Sequence, residues 1–270
     1  MQQEITIVDA FTDTPFTGNP AAVCIMKQPA QPEWMQRVAM EMNLAETAFV
    51  WPIDEDLLSL RWFTPTVEAD LCGHATIAAA HVLWETDALP REQSARFETR
   101  SGLLTARRDG AWIELDFPAL PPQAIDAPDG LIEPLGENLR DRVVAIGRSR
   151  FDYLVELNID QTELAALKPD MRRLASIDAR AVIVTTRRTS ESRFDFVSRF
   201  FAPRCGIDED PVTGSAHCAL APWWAERLKK QTMLAYQASP RGGIVRVTLH
   251  GDRVLLGGQA RTILRGALQV

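Results

Sequence analysis

The sequence has no apolar run near the roughly 18 residues that suggest a membrane span, so no membrane partner is expected. It has no positive excess either. The 29 Lys and Arg stand against 36 Asp and Glu, a net charge of −7, which argues against nucleic acid as a partner. The opening MQQEITIVDAF carries acid where a secretory signal carries basic residues, and its apolar stretch is broken. The four cysteines, Cys24, Cys72, Cys205 and Cys218, are too scattered for a disulfide framework and read as reduced thiols of a cytoplasmic protein. His74, His81, His217 and His250 form no H-x-x-x-H pair and there is no C-x-x-C, so no metal site is expected. G-x-G-x-x-G and G-x-x-x-x-G-K-[ST] are both missing, which leaves nucleotide cofactors without support. TGSAH sets Ser215 close to His217 but lacks the strand–turn–helix of a hydrolase G-x-S-x-G elbow.

What is present is a soluble globular composition, 46% hydrophobic and 24% charged over 270 residues, enough for one large domain or two ordinary ones. The stretch FPALPPQAIDAPDG, residues 117 to 130, holds Pro118, Pro121, Pro122 and Pro128 near the middle of the chain. Proline removes amide donors and fixes φ, so this stretch reads as a linker. Domains are expected at 1–117 and 131–270 around a linker at 118–130, with the last strand returning toward the first half.

The halves look duplicated. RWFTPTVEADLCGHATIAAAHVLWE begins at Arg61, and RFFAPRCGIDEDPVTGSAHCALAPWWAE begins at Arg199. Arg61 matches Arg199, Phe63 matches Phe201 and Pro65 matches Pro203. After a three-residue insertion in the second copy, Gly73 matches Gly214, His74 matches Ser215 and Glu85 matches Glu226. Each copy reads as strand, acidic loop, glycine, small polar residue and apolar helix. Around them lie alternating or β-branched segments such as EITIVDAF, AAVCIM, TAFVWP, DYLVELN, AVIVTT and GIVRVTLH. One amphipathic helix is expected at 31–42 with Asn43 as its C-terminal cap, and another at 161–168.

The repeated helices differ from that surface type. ATIAAAHVLW, residues 75 to 84, is apolar on nearly every side, and residues 216 to 228 are similar although Pro222 interrupts them. A helix without a polar face must be buried all round. The fold class is therefore α+β: two pseudo-symmetric domains, each a curled, mostly antiparallel sheet wrapped around a central helix. The helix N-termini would leave unpaired amides and partial positive charge at a shared cleft, suited to a carboxylate or an oxyanion. Gly73 and Gly214 would admit a ligand close to the backbone. The plainer alternative is that His74 and Ser215 only cap their helices, a role that suits Ser better than His.

VDAFTDTPFTGNPAAVC, NLAETAFV, DLCGHATIAAAHVL and GIDEDPVTGSAH together resemble the PhzF-like phenazine-biosynthesis isomerase family, within the diaminopimelate-epimerase fold group. The resemblance runs over essentially the whole chain. It implies two sheet-wrapped domains with the site between them, and a cofactor-independent isomerase that is commonly a homodimer. It makes Glu46 the acid/base residue and matches His74, Asp210 and Ser215 to the family's other polar site positions. Read on its own, Glu46 follows a helix end and precedes an apolar strand, where partial burial would raise its pKa toward neutrality. Asp210 lies in an acidic turn four residues before Gly214 and could orient His74 or a substrate amine; His74 could relay a proton or hold a carbonyl. Asn19 in TGNP and Arg241 in SPRGG are weaker substrate-binding candidates, equally readable as turn chemistry.

Epimerases of this fold group use two opposed cysteines, one before each helix start. Cys72 occupies the first such place, but Pro211, Val212 and Thr213 fill the second, so Cys72 reads as a small buried residue. The expected function is a proton shift, with its double bond, in a small carboxylated substrate, Glu46 both taking and returning the proton. The alternatives are a catalytically silent ligand-binding protein and a one-thiol epimerase using Cys72.

Overall fold

The structure, a computed structural model, describes residues 2–187 and 192–269; Val270, at the end of the expected last strand, lies outside them. Its internal contacts divide the chain into two units, Met1–Asp116 with Leu256–Val270, and Phe117–Leu255. In chain order the first unit holds β1 (Gln2–Ala10), β2 (Asn19–Ile25), α1 (Pro32–Met42), β3 (Glu46–Pro52), β4 (Leu58–Phe63), β5 (Glu68–Ala69), α2 (Gly73–Glu85), β6 (Ala95–Thr99), β7 (Gly102–Asp109) and most of β8 (Trp112–Pro118). Then follow β9 (Gln123–Ile125), β10 (Val143–Arg148), β11 (Asp152–Leu157), α3 (Gln161–Ala166), α4 (Met171–Leu174) and β12 (Ala181–Arg187). The chain continues with β13 (Phe196–Ala202), β14 (Ile207–Glu209), α5 (Gly214–Leu228), β15 (Thr232–Gln237), β16 (Gly243–His250), β17 (Arg253–Gly258) and β18 (Ala260–Gln269).

In the first unit β2 and β3 run parallel, β3 and β4 antiparallel, and β4 and β6 parallel. The second unit repeats this order: β11 and β12 are parallel, β12 and β13 antiparallel, β13 and β15 parallel. The duplication extends to single hydrogen bonds. Arg61 makes a bidentate pair with Glu68 and lies over the Phe63 ring; Arg199 does the same with Glu209 and Phe201. Ser101 Oγ donates to Asp70 O at 2.7 Å, and Ser239 Oγ donates to Pro211 O at 2.8 Å.

The apolar helices are central to their units. Ten of the thirteen residues of α2 are buried, and the helix packs on β1, β2, β3, β7 and β18. Helix α5 buries ten of fifteen and packs on β15 and β16. Helix α1 is the amphipathic surface type, with Pro32 in its first turn and Asn43 closing it in the left-handed conformation at φ 49°.

Two stretches bear on where the units divide. Strand β18 pairs with β1 from Gln2↔Gln269 to Ala10↔Ala260, and so folds with the first unit. The proline-rich stretch is tied into the second unit: Ala119 N–H donates to Asp252 O, Leu120 N–H donates to Cys218 O at 2.9 Å, and β9 pairs with β10. The Leu120 bond explains why α5 tolerates Pro222. Proline has no N–H for the carbonyl four residues back, which is Cys218, and Leu120 supplies the missing donor.

Candidate active site

The loop VDAFTDTPFTGNP ends on Asn19, and its backbone is held in an uncommon path. Phe11, Phe16 and Gly18 have positive φ. At Gly18 a Cβ would lie 2.2 Å from Ala10 O, so only glycine fits. The buried Asp9 carboxylate accepts from Phe16 N–H at 2.8 Å and fixes the turn. Asn19 then opens β2, and the parallel register Ala21↔Glu46 places the start of β3 at the same end of the sheet. Helix α2 packs across both strands, and its first turn carries His74.

Three expected residues meet there. Glu46 Oε2 lies 3.0 Å from His74 Nε2, with side chains 15% and 6% exposed. The approach is off the line of a hydrogen bond, and neither atom has an aligned partner among the described residues. On the other ring edge, Asn19 Nδ2 lies 3.2 Å and Cys72 Sγ 3.5 Å from His74 Nδ1. Sequence reasoning left Cys72 as a packing residue. It is buried, but it touches the imidazole, and the signal was its place two residues before His74 across the helix start.

Burial pushes the Cys72 thiol up, and the Glu46 carboxylate adds to that against an opposing pull from His74. Burial also works against a charge on His74, but Cys72 and Glu46 outweigh it and carry the imidazole well above its ordinary 6.5. The Asn19 amide suits either state. With its nitrogen toward Nδ1 it donates to a neutral ring, and turned over, its oxygen accepts from a charged one. Glu46, Cys72 and His74 also place ligand-type atoms within 4.8 Å of one another, the one group of this kind among the described residues. Linear motifs could not show it, since residue 46 is distant in sequence.

The plain capping reading is corrected. The N-caps are Cys72 and Thr213, with His74 and Ser215 two residues further along, and neither N-cap side chain makes a capping hydrogen bond. Neither Gly73 nor Gly214 has positive φ, so neither is required by backbone conformation.

In the second unit, Asp210 and Thr213 are joined, the Thr213 hydroxyl donating to the Asp210 carboxylate. Sequence reasoning missed Gln237, fully buried at the end of β15. Its Nε2 donates to Asp210 O at 2.7 Å and its Oε1 accepts from Thr213 N–H at 2.9 Å, clamping the segment before α5. Ser239, two residues before Arg241, ties the SPRGG loop to Pro211 O. Ser215 is half-buried in the first turn of α5.

Fold and site define a duplicated sheet-around-helix protein with a buried carboxylate–imidazole pair at one helix start. A family profile described as "Phenazine biosynthesis-like protein" (PhzC-PhzF) matches residues 8–266. A Halalkalibacterium halodurans protein named an uncharacterized isomerase is 52% identical over 269 residues, covering 99% of each chain. A similarly named Pseudomonas aeruginosa protein is 48% identical, covering 99% of this chain and 100% of that one. The crystal structure of a phenazine biosynthesis protein of the PhzF family from Enterococcus faecalis superposes with a TM-score of 0.93 at 38% identity over the whole of both chains. The chain belongs to the phenazine biosynthesis-like PhzC-PhzF family.

Proposed function

We propose that the protein is an isomerase that moves one proton, and with it a double bond, within a small carboxylated, amino-acid-like substrate, with Glu46 as general acid and base. The observation that carries this reading is the buried contact of Glu46 Oε2 with His74 Nε2, in which both atoms lack an aligned hydrogen bond. Relatives named isomerases at 52% and 48% identity support it.

The Glu46 carboxylate removes a proton from a carbon next to a double bond. The C–H pair becomes the new double bond, and the old π electrons move to the far carbon. Glu46 then delivers the proton there, so the formula is unchanged and no electrons leave the substrate. Such a step asks nothing of a redox or group-carrying cofactor. His74, with an amide partner suited to both of its protonation states, relays the proton or holds a substrate carbonyl. Backbone amides in the first turn of α2 suit the substrate carboxylate. The family resemblance adds a homodimer to the proposal, and the four free cysteines accord with a reducing, cytoplasmic setting.

A second reading, a one-thiol epimerase, is favoured by the 3.5 Å contact of Cys72 Sγ with His74 Nδ1. Against it stand the raised thiol pKa and the presence of Thr213 at the matching N-cap of α5. Proton NMR in D₂O with a panel of unsaturated cyclic and α-amino carboxylic acids separates the two. The proposal expects carbon-bound exchange that falls at least about 100-fold in Glu46→Gln and persists in Cys72→Ser. Exchange that survives Glu46→Gln overturns it. A compound that raises the melting temperature without any exchange supports the silent binding protein instead. Roles for Asp210, Ser215, Asn19 and Arg241 in holding substrate are part of the proposal, tested in the same assay with Asp210→Asn, Ser215→Ala, Asn19→Ala and Arg241→Ala.

A further inference from the structure

We propose that a cavity beside α5, wholly within the second unit, binds a small carboxylate that carries a guanidinium group, the class of free arginine. The cavity has a volume of about 570 Å³, and Pro122, Ala124, Trp223, Glu226 and Lys229 are among the residues that line it. That volume lies in the range of small-molecule sites.

The duplication shows what the cavity lacks. Strand β1 lies antiparallel between β18 and β2, and β10 lies antiparallel between β9 and β11, so β9 takes the place of β18. In the first unit Thr262 and Arg265 of β18 sit opposite Val8 and Thr6. Both reach α2: the Thr262 hydroxyl donates to the Glu85 carboxylate, and Arg265 Nη2 lies 2.7 Å from Glu85 Oε2. In the second unit β9 has three residues and pairs only with Ile146, Gly147 and Arg148. Gly147 faces α5, since a Cβ there would lie 2.7 Å from Trp223 Cζ3, and β9 sets the small Ala124 opposite it. Beyond Ile125 no residue of β9 stands where Arg265 stands in the first unit. The sequence match of Glu85 is Glu226, whose carboxylate makes no hydrogen bond or ion pair among the described residues. A carboxylate that holds a guanidinium in one unit lines a cavity in the other.

Charge sets the rest of the ligand. Arg227 is already committed, its Nε 2.7 Å from Glu156 Oε2 and its guanidinium 3.6 Å from the centre of the Trp223 ring. Lys229, three residues beyond Glu226, is exposed and has no ion pair among the described residues, with Glu226 included. A guanidinium on Glu226 and a carboxylate on Lys229 answer both charges, and an aliphatic stem between them packs on Pro122 and Ala124. The inference is independent of the reaction proposed above.

The full-length chain is titrated with L-arginine by calorimetry, with L-citrulline and agmatine as controls. The expected result is one L-arginine per chain, bound at least about 10-fold more tightly than L-citrulline, which lacks the cation, or agmatine, which lacks the carboxylate. Affinity should fall by a similar factor in Glu226→Gln and in Lys229→Met, and binding should be lost in Ala124→Phe, which fills the cavity. All three positions are exposed, and circular dichroism checks that each variant keeps its fold. Binding should persist in Glu46→Gln, which separates this cavity from the candidate active site. No binding of L-arginine, equal binding of L-citrulline or agmatine, affinity unchanged in any of the three cavity variants, or loss of binding in Glu46→Gln overturns the proposal.

Discussion

His217 makes the stability of the second unit depend on pH. The residue is fully buried in the first turns of α5, beside the Phe196 ring. Its Nδ1 lies 2.8 Å from Thr213 O, and a carbonyl only accepts, so the ring proton is on Nδ1. Nε2 is buried without a hydrogen-bond partner among the described residues. Burial drives the imidazole pKa down to about 4 from 6.5, with the Thr213 carbonyl pulling weakly the other way.

Between these values the unfolded chain binds a proton that the native state refuses. The stabilisation is therefore complete above pH 6.5 and is lost as pH falls toward 4. At 1.36 kcal/mol per pH unit the full loss is about 3 kcal/mol, of which about 2 kcal/mol falls between pH 7.5 and pH 5. Urea denaturation of the wild type and His217→Gln at those two pH values reads it directly. Carboxylate titrations are common to both proteins and cancel in the difference. The wild type should lose about 2 kcal/mol more than the variant over this interval, with m-values unchanged. Equal losses would refute the reasoning, because they would mean that His217 takes up its proton as readily folded as unfolded.

Three further outcomes follow from the packing. Gln237→Leu removes the acceptor of Thr213 N–H and the donor to Asp210 O, so it should cost about 2–4 kcal/mol in chemical denaturation; a cost within error of zero would show that water replaces the clamp. Gly18→Ala puts a Cβ 2.2 Å from Ala10 O at a left-handed position, and should cost at least about 2 kcal/mol, a fall of roughly 4 °C or more in Tm; an unchanged Tm contradicts the geometry. Pro222→Ala supplies an N–H that competes with Leu120 for Cys218 O, and hydrogen exchange at the Leu120 amide should quicken; unchanged protection there would break the link between the proline-rich stretch and α5.

The central helices were legible because they carry no polar face, and the amphipathic α1 because its period and Asn43 cap are local signals. Several strands were not. TMLAYQ, which forms β15, has one β-branched residue and otherwise reads as well for a helix, while ARFET of β6 is short, with two of its five residues charged. The two-residue β5 and three-residue β14 exist only through their antiparallel partners β4 and β13. Unit membership of β18 depends on pairing with β1 at the other end of the chain, which no local pattern encodes. At the site the residue types were readable, but their relations were not. Cys72 looked inert until the turn into α2 brought its sulfur to His74, and Gln237 looked like the end of a strand until both ends of its amide found the segment before α5.

The duplication also bears on the proposed use of one carboxylate rather than two thiols. Both helix starts stand on the same supports: an Arg–Glu pair over a Phe ring, a serine hydroxyl on the preceding carbonyl, and an extended N-cap at φ −145° or −112°. Those supports fix the backbone and leave the side chains at the N-cap and the second helical position free to diverge. In α2 they are Cys72 and His74, the latter set against Glu46. In α5 they are Thr213 and Ser215, and the Thr213 hydroxyl is already committed to Asp210. A hydroxyl so placed cannot mirror a thiolate. A mechanism that uses one thiol before each helix start lacks its second thiol in α5. A single carboxylate that takes and returns the proton on one face does not need one.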